Sequence, residues 1–511
     1  MLDWVGLAER IPTVISPVQK LSFKEKAKWT LIILVMFFVL GSISIWGINS
    51  DAVAQFEFLE IVFGSKFGSI ITLGIGPIVT SSIILQLIVG SGIINWDQST
   101  EDGKRKFGAA QKLMTIAFCL IEGIAYVVAG AVPPASPDMF TVSFVIFQLT
   151  IGGIVVMYMD EVVSKWGFGS GVSLFIAAGV AKTIMLRTFN PLSQTGGIPD
   201  LSIGDLPAGI IPGFIASFIE GNPAFISLLP LVSTLVVFIL TVYIMDVRVE
   251  VPMAFSMPFG KFAARRWPLK FLYTSNIPVI LTAAVLANMQ IMGKMLFQRG
   301  ITILGTYDAD GNISGGLMYY LSAPSGEVGL IIMTVLASVL ALSFAILSIK
   351  YLKKYTKRMA IAGALLGLVF GYLLITIFNI STISTTTIVR AITYMSVYIV
   401  SSVIFSVFWT STASMDAKSV AEQFKSYSIM IPGFRHDPRI FEKVLNRYIP
   451  ALTVLGGAFV GFLATFADLT SAIGSGTGLL LTVMIIYQLY EQIMQQHGDD
   501  IPPSIRKFLG A

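Results

Sequence analysis

Long apolar runs recur along the whole chain and predict membrane-spanning helices. The runs are continuous and do not alternate apolar with polar positions, so the pattern disfavours a β-barrel. An α-helix rises about 1.5 Å per residue, so about 20 apolar residues cross a bilayer. The runs predict twelve spans, near residues 29–49, 69–93, 109–131, 139–160, 170–188, 223–246, 275–297, 329–349, 359–379, 389–411, 449–468 and 476–495.

The composition narrows the class of protein further. Of the 511 residues, 55% are hydrophobic and 12% are charged, whereas soluble domains have about 25% charged residues. So few charges could not cover the surface of a soluble enzyme, and the chain is too apolar for intrinsic disorder. The single cysteine, Cys119, excludes an internal disulfide. A polytopic membrane protein remains.

The distribution of Lys and Arg predicts the orientation. The first run is too long for the core of a signal peptide and is expected to stay as an anchor. With the N-terminus inside, alternate loops carry 28 of the 34 Lys and Arg residues. The positive-inside rule then predicts that both termini are cytoplasmic.

Two of these basic loops, 247–272 and 413–448, are longer than connectors need to be. Their charge fits two interpretations, either fixing the topology or docking a polyanion such as ribosomal RNA.

Catalytic chemistry is hard to find in the sequence. The two histidines, His436 and His497, lie in predicted cytoplasmic segments and do not suggest a zinc site. Neither a phosphate-binding loop nor a hydrolase motif occurs. We therefore expect no catalytic residues, no metal and no cofactor, and expect that the chain is not an enzyme.

Glycine and proline interrupt several spans. In the second span Gly74 and Gly76 precede Pro77, and the seventh span opens on Asn276-Ile277-Pro278. Proline lacks an N–H and suits the first turn of a helix, so each helix is expected to begin there. The fifth and last spans open on Gly-Ser-Gly, at 169–171 and 474–476. With 329–379 set aside, the paired openings lie five helices apart, which indicates an inverted repeat around a central pathway.

Two polar features lie near the membrane. Glu122 is the one acid near the middle of a span, where a charge costs about 2.5–3.5 kcal/mol. It can be a packed polar group, or a gate, ligand or proton site. The segment 50–68 is too polar to span and is expected to fold back into the protein.

Four stretches resemble the SecY-type protein-translocation channel, in its archaeal and eukaryotic branch. They are Ile71–Gly92 (ITLGIGPIVTSSIILQLIVGSG), Asp160–Val180 (DEVVSKWGFGSGVSLFIAAGV), Tyr273–Ile280 (YTSNIPVI) and Gly474–Thr482 (GSGTGLLLT). The resemblance covers nearly the whole chain except about 326–388. It implies an all-α membrane protein in which two inverted five-helix halves form a clamshell around a central pore.

The resemblance implies the following division of the chain: a cytoplasmic segment 1–28, an N-terminal half 29–188 with a plug at 50–68, an external hinge loop 189–222, a C-terminal half 223–495 with an inserted hairpin 329–379, and a cytoplasmic tail 496–511.

The resemblance also implies four sets of site residues. The pore ring would be Ile75, Val79, Val172, Ile176, Ile280 and Leu481; the plug would include Phe56, Phe58, Leu59, Ile61, Val62 and Phe63; the lateral gate would carry Thr80, Glu122 and Asn288; and Arg265, Arg266 and Arg435 would dock ribosomes. The pairs Ile75/Val79 and Val172/Ile176 are spaced i, i+4, as one helix face requires. From spacing alone, each ring residue could equally be ordinary core. An apolar ring excludes ions by dewetting yet can part for a peptide.

The implied function is passage of secretory proteins across the membrane and lateral release of membrane proteins into it. The implied partners are a small single-span clamp subunit, a second small subunit, the ribosome, signal sequences, nascent polypeptides and lipid. The expected location is the cytoplasmic membrane of a prokaryote. Two alternatives remain at this point, a secondary transporter, which shares broken helices and inverted repeats, and a passive ribosome receptor.

The hairpin 329–379 departs from the family, which usually has ten spans. Its turn carries five positive charges, Lys350, Lys353, Lys354, Lys357 and Arg358, and is expected to be cytoplasmic. The hairpin is either a lipid-facing addition or an element that flanks the gate or binds a partner.

Overall fold

Helices dominate the computed structural model. The structure describes residues 11–49, 68–90, 93–94, 96, 100–128, 130–193, 197, 199, 206–219, 221, 225–256, 262–274, 276–308, 313–324, 385–413, 415–426, 429–430 and 438–497. Almost all of the predicted plug, the predicted hairpin 329–379, Arg435 and residues 498–511 lie outside this part.

Fourteen α-helices occur among the described residues: α1 (Phe23–Leu40), α2 (Gly76–Gly90), α3 (Glu101–Val128), α4 (Met139–Trp166), α5 (Gly171–Phe189), α6 (Ile210–Ile219), α7 (Leu229–Asp246), α8 (Ile277–Gln298), α9 (Leu317–Leu321), α10 (Thr385–Thr412), α11 (Ala417–Ser426), α12 (Pro438–Leu445), α13 (Ile449–Leu469) and α14 (Gly476–His497). A 3-10 turn (Phe225–Leu228) precedes α7.

Eight of the described helices are long and apolar enough to cross a membrane, namely α3, α4, α5, α7, α8, α10, α13 and α14. The helix α2 is apolar but has only 15 residues. The helix α1 has 18 residues and carries Lys24, Glu25, Lys26 and Lys28 in its first turns. These helices support the conclusion from composition that the chain is an integral membrane protein.

The first helix lies earlier than the predicted span 29–49. It begins after Ser22, whose side chain accepts a hydrogen bond from the Glu25 N–H while the Glu25 carboxylate accepts one from Ser22. This reciprocal cap satisfies backbone donors at the helix start. The helix ends at Leu40, because the residues that follow turn back, and Gly47 has a φ of +83° that other residues rarely adopt.

The second span is interrupted as predicted. Residues 70–75 form tight turns closed by hydrogen bonds from Thr72 N–H to Ser69 O and from Gly74 N–H to Ile71 O. Regular helix begins only at Gly76, with Pro77 in its first turn. Ile71 and Leu73 are fully buried although they are not helical, so this irregular backbone lies inside the protein, as membrane depth requires.

The turn before α2 depends on a close approach of α4. A Cβ at Gly152 would lie 1.7 Å from the carbonyl oxygen of Ile70. We expect Gly152→Ala to destabilise the protein by about 3 kcal/mol, because backbone must move to admit the methyl group. Gly108→Ala in α3 is the matched control, since nothing lies within 4 Å of its added Cβ. Thermal unfolding in detergent measures both. Equal midpoints for the two variants would contradict this packing argument.

The N-terminal segment lies against α3 and α4. Lys112 Nζ donates to the carbonyl oxygen of Pro12 at 2.6 Å, and Trp166 Nε1 donates to that of Ile15 at 2.8 Å. Lys112 and Lys165 both pair with Glu161, at 2.8 and 2.9 Å. Side chains of α3 and α4 thus hold the N-terminal segment, whose described residues have no regular secondary structure before α1.

The two long basic loops form a single unit. The strands β1 (Arg248–Ser256) and β2 (Phe262–Lys270) make an antiparallel hairpin, and β5 (Ile429–Met430) pairs with β1 through Ala254↔Met430 and Phe255↔Ile429. Trp267 of β2 packs edge-on against Phe424 of α11, with ring centroids 4.8 Å apart. A separate two-stranded sheet pairs β3 (Thr306–Tyr307) with β4 (Ile313–Gly315). The sequence pattern did not predict that these two loops pair with each other.

The main hydrophobic core lies where most of the long helices converge. It includes Phe37 of α1 stacked on Phe175 of α5 at 4.6 Å, Val156 of α4, and Met484 of α14. The residues predicted to form the pore ring belong to this cluster or pack against it, so the predicted ring lies at the main core of the fold.

A candidate pore constriction and gate seam

The helices that carry the predicted ring begin at the glycine and proline positions singled out in the sequence. The helices α5 and α14 start at the second glycine of their Gly-Ser-Gly triplets, and Pro278 lies in the first turn of α8. The first glycines, Gly169 and Gly474, have φ values of +69° and +82°. Such values favour glycine, so the triplets set where these helices begin.

Two aspartates cap the first turns of α5 and α14 in the same way. Asp160 near the end of α4 accepts a hydrogen bond from the Val172 N–H at 2.9 Å, and Asp468 near the end of α13 accepts one from the Gly476 N–H at 2.6 Å. A Cβ at Gly171 would lie 2.5 Å from Asp160 Cα, and one at Gly476 would lie 2.2 Å from Asp468 N. A carboxyl group at a helix N-terminus satisfies free N–H groups there. The two devices lie at corresponding places in the predicted inverted repeat.

The six residues predicted to form the pore ring come together in one apolar cluster. Ile75, Ile176 and Leu481 are buried to 1%, 1% and 4% exposure. Val79, Val172 and Ile280 are partly buried and pack against the same cluster. They come from α2 and the turn before it, from α5, from α8 and from α14, which are far apart in the sequence.

A small cavity lies among four of these ring residues, with a volume of about 20 Å³. That is room for about one water molecule. It is lined by Ile75, Gly76, Val79, Thr80, Ile280, Ala283, Ala284, Thr477, Gly478 and Leu481. The lining is apolar except for two threonine hydroxyls. The cavity is far too small for a polypeptide, which could pass at this point only if the helices moved apart.

The resemblance predicts the lateral gate between α2 and α3 on one side and α8 and α10 on the other, and this contact is called the gate seam. In its middle, Cys119 and Tyr126 of α3 belong to one buried cluster with Ala287 and Ile291 of α8. At one end, α2 meets α10 so closely that a Cβ at Gly90 would lie 2.1 Å from Thr412 Cγ2. The seam is therefore closed by packing of apolar and small groups.

The three predicted polar gate residues do not all meet. The Thr80 side chain of α2 lies near the Glu122 carboxyl group of α3, on the same side of the seam. Asn288 of α8 is exposed, and within the described part of the chain no hydrogen bond links it to Thr80 or Glu122. This polar pair thus lies on one side of the seam and does not bridge it.

A polar row along α10 was missed by the sequence analysis. Every fourth residue from Arg390 is polar and faces the protein, and the last five of these bond to α13 or α14, namely Tyr394, Tyr398, Ser402, Ser406 and Thr410. Residues spaced by four form one ridge of a helix surface. Ser402 Oγ donates to Gly457 O at 2.8 Å, and Ser406 Oγ donates to Thr453 O at 2.8 Å. The spacing itself was a signal, because polar residues in a membrane helix face protein or water.

The predicted docking residues are placed only in part. The backbones of Arg265 and Arg266 lie in β2, opposite Met253 and Pro252 of β1. Arg435 and the predicted plug residues Phe56, Phe58, Leu59, Ile61, Val62 and Phe63 lie outside the described residues.

The chain was compared with known proteins. The family described as SecY matches residues 69–490. The protein translocase subunit SecY of Methanocaldococcus jannaschii is 38% identical over 509 residues, covering 100% of both chains. That of Methanothermobacter thermautotrophicus is 40% identical over 509 residues, covering 98% of this chain and 97% of its own.

Solved structures agree with these relatives. One described as the structure of a protein conducting channel superposes with a TM-score of 0.74 at 37% identity, and one of Sec61 in the canine ribosome-channel complex from the endoplasmic reticulum with 0.72 at 37% identity. A third concerns the plug domain of SecY, with a TM-score of 0.73 at 37% identity. Each covers 98% of this chain and 99% of the other. The chain therefore belongs to the SecY family.

Proposed function

We propose that this chain forms a protein-conducting channel, through which secretory proteins cross the membrane at the ring of six aliphatic residues. The observation that carries the proposal is the convergence of these residues from four parts of the chain on one narrow, apolar constriction. Its relatives are named as protein translocase subunits. A secondary transporter would need converging polar or charged groups at this point, and the cavity lining has only two hydroxyls.

The gating we propose has two parts. The seam of α2 and α3 with α8 and α10 is a lateral gate that parts to release hydrophobic segments into lipid. Thr80 and Glu122 are the polar residues on one side of this gate, and Asn288 is the polar residue on the other side. Residues 50–68 form a plug. Its apolar residues are Phe56, Phe58, Leu59, Ile61, Val62 and Phe63. A SecY plug domain is described as stabilising the closed state of the translocation channel and maintaining a membrane seal.

The architecture we propose is a clamshell. Residues 29–188 and 223–495 are the two inverted halves, joined by an external hinge at 189–222, and the hairpin 329–379 brings the spans to twelve. The matching carboxyl caps of α5 and α14 support the inverted repeat. Residues 1–28 and 496–511 are then cytoplasmic, and the membrane is the cytoplasmic membrane of a prokaryote.

The partners we propose follow from the basic unit of β1, β2, β5, α11 and α12. Its two loops, 247–272 and 413–448, carry Arg265, Arg266 and Arg435 for contact with ribosomal RNA, to which clustered positive charge binds. A related channel is described in a ribosome complex. A small single-span subunit clamps the two halves, and a second small subunit joins them. Neither catalysis nor a cofactor is part of this proposal.

The decisive experiment places a photo-crosslinking amino acid at Val79. Membranes containing the variant are mixed with ribosomes stalled while making a signal-bearing chain. We expect an adduct between Val79 and the nascent chain that requires the signal sequence. Leu31 of α1, which is 63% exposed on the outside of the bundle, is the matched control and should give no such adduct.

Two other outcomes would overturn parts of the proposal. If ribosomes bind but no adduct forms at Val79 or at any other ring position, the nascent chain does not pass through the ring. The chain would then be a receptor that only anchors ribosomes. Uptake of small solutes without passage of the chain would favour a secondary transporter.

A further inference from the structure

The carboxyl group of Asp468 in α13 accepts three hydrogen bonds, one from α10 and two from the first turn of α14. Its Oδ1 accepts from the Gly476 N–H at 2.6 Å, and its Oδ2 accepts from the Tyr394 hydroxyl at 2.8 Å and the Thr477 hydroxyl at 3.3 Å. Tyr394 lies on α10, one of the helices at the gate seam. Thr477 lies in the first turn of α14 and lines the cavity at the constriction.

The side chains around the Asp468 carboxyl group are shielded from water. Tyr394, Tyr398 and Thr477 are buried at 6%, 2% and 4% exposure. The Tyr398 hydroxyl is 3.1 Å from Thr477 Oγ1, so α10 reaches the same turn of α14 by a second route. A buried polar group left without its partner destabilises the arrangement that buries it. The three bonds are therefore expected to hold one arrangement of α10, α13 and α14.

In the part of the chain that the structure describes, Asp160 and Asp468 both cap a helix, but only Asp468 also bonds a gate helix. Asp160 caps α5 as Asp468 caps α14, and both sit against the backbone of the glycine that begins the next helix. Asp160 accepts from Ser170 and Val172, and in the described residues no bond joins it to α2 or α3, the gate helices of its own half. The link to α10 is an addition to the cap, present in one half of the repeat.

We propose that Asp468 is a positioning residue that ties gate helix α10 to the pore-lining turn of α14 and so stabilises the shut constriction. The proposal rests on the lateral gate and pore ring proposed above. Loss of the link frees the turn that carries Thr477, one helical turn before Leu481. The shut state is then weaker, and the channel opens with less help from the signal sequence.

The test measures how strictly the channel requires a signal sequence. Vesicles carrying the wild-type chain with its companion subunits import one substrate with an intact signal and one whose signal core carries a charge. We expect Tyr394→Phe and Asp468→Asn to raise import of the defective substrate by about an order of magnitude, since loss of a bond worth about 1.4 kcal/mol changes an equilibrium tenfold. Import of the intact substrate should change by less than about twofold, because its signal already favours the open state. Tyr243→Phe in α7, whose side chain is 70% exposed, is the matched control and should leave the ratio unchanged.

The outcomes separate this role from simple stabilisation. A general cap predicts that Asp160→Asn and Asp468→Asn lower the thermal midpoint together and that neither alters the ratio of the two substrates. A ratio unchanged in both Tyr394→Phe and Asp468→Asn, with normal amounts of protein in the membrane, overturns the proposal. Equal shifts in the Tyr243→Phe control also overturn it. If the wild-type chain itself imports neither substrate, the proposed function fails instead.

Discussion

Oxidation of a Gly90→Cys, Thr412→Cys variant is expected to stop translocation. A Cβ on Gly90 would lie 3.1 Å from Thr412 Cβ, and disulfides span Cβ atoms about 3.5–4.5 Å apart. A small displacement of the end of α2 is therefore enough to form the bond. The bond would tie α2 to α10 at one end of the proposed gate, where a signal helix about 10 Å wide has to enter.

The expected result is a loss of import of about an order of magnitude or more, because a covalent bond of this kind removes the open state. Reduction of the disulfide should restore import. Gly90→Cys with Thr412→Ala carries one of the new thiols but cannot crosslink, and its import should not respond to oxidant. Native Cys119 is buried and is retained in every variant. Full crosslinking with import intact would mean that α2 and α10 do not separate at this end.

The sequence predicted the local features of the fold well. The helix starts at Gly76, Gly171, Ile277 and Gly476 follow from glycine and proline, whose backbone preferences act within a few residues. Hydropathy located the eight long helices because each buries its apolar surface in the membrane or in the bundle. The end of α1 was misplaced, since hydropathy does not register the turns that begin at Gly41.

The sequence did not predict the strand pairing of the basic loops. The alternation Val249-Glu250-Val251 is typical of a strand, and Val251 is buried while Glu250 is exposed. Its partner β5, however, lies more than 170 residues further along the chain. Pairing over such a distance depends on where the helices bring the loops, and no local pattern encodes that.

Less of the candidate site than of the helices could be predicted from the sequence. Spacing alone could not separate ring residues from ordinary core, because both need apolar side chains on one helix face, and only the resemblance to the family selected them. The polar row of α10 could have been found from its four-residue period. The bond from Tyr394 to Asp468 could not, because 74 residues separate its two ends.

A carboxylate in the ring is expected to make the resting channel leak. Leu481 is 4% exposed and lines the constriction with Ile75, Val79 and Ile280. A narrow apolar passage resists wetting, and this keeps ions out. An ionised carboxylate left dry there would cost several kcal/mol, so Leu481→Asp should draw water into the constriction. We expect ion flux through vesicles without any substrate to rise by about an order of magnitude or more once the passage is wet.

Leu481→Met is the matched control, because it keeps the volume and apolar character of the side chain, and its flux should equal that of the wild type. The amount of protein in the membrane and the import of a substrate with an intact signal show whether Leu481→Asp still folds. If Leu481 were ordinary core, the carboxylate would lower the stability of the protein without opening a path for ions. A sealed Leu481→Asp channel that still imports substrate would therefore remove Leu481 from the ring, whereas a leaking one would locate the barrier to ions at the cluster where α2, α8 and α14 meet.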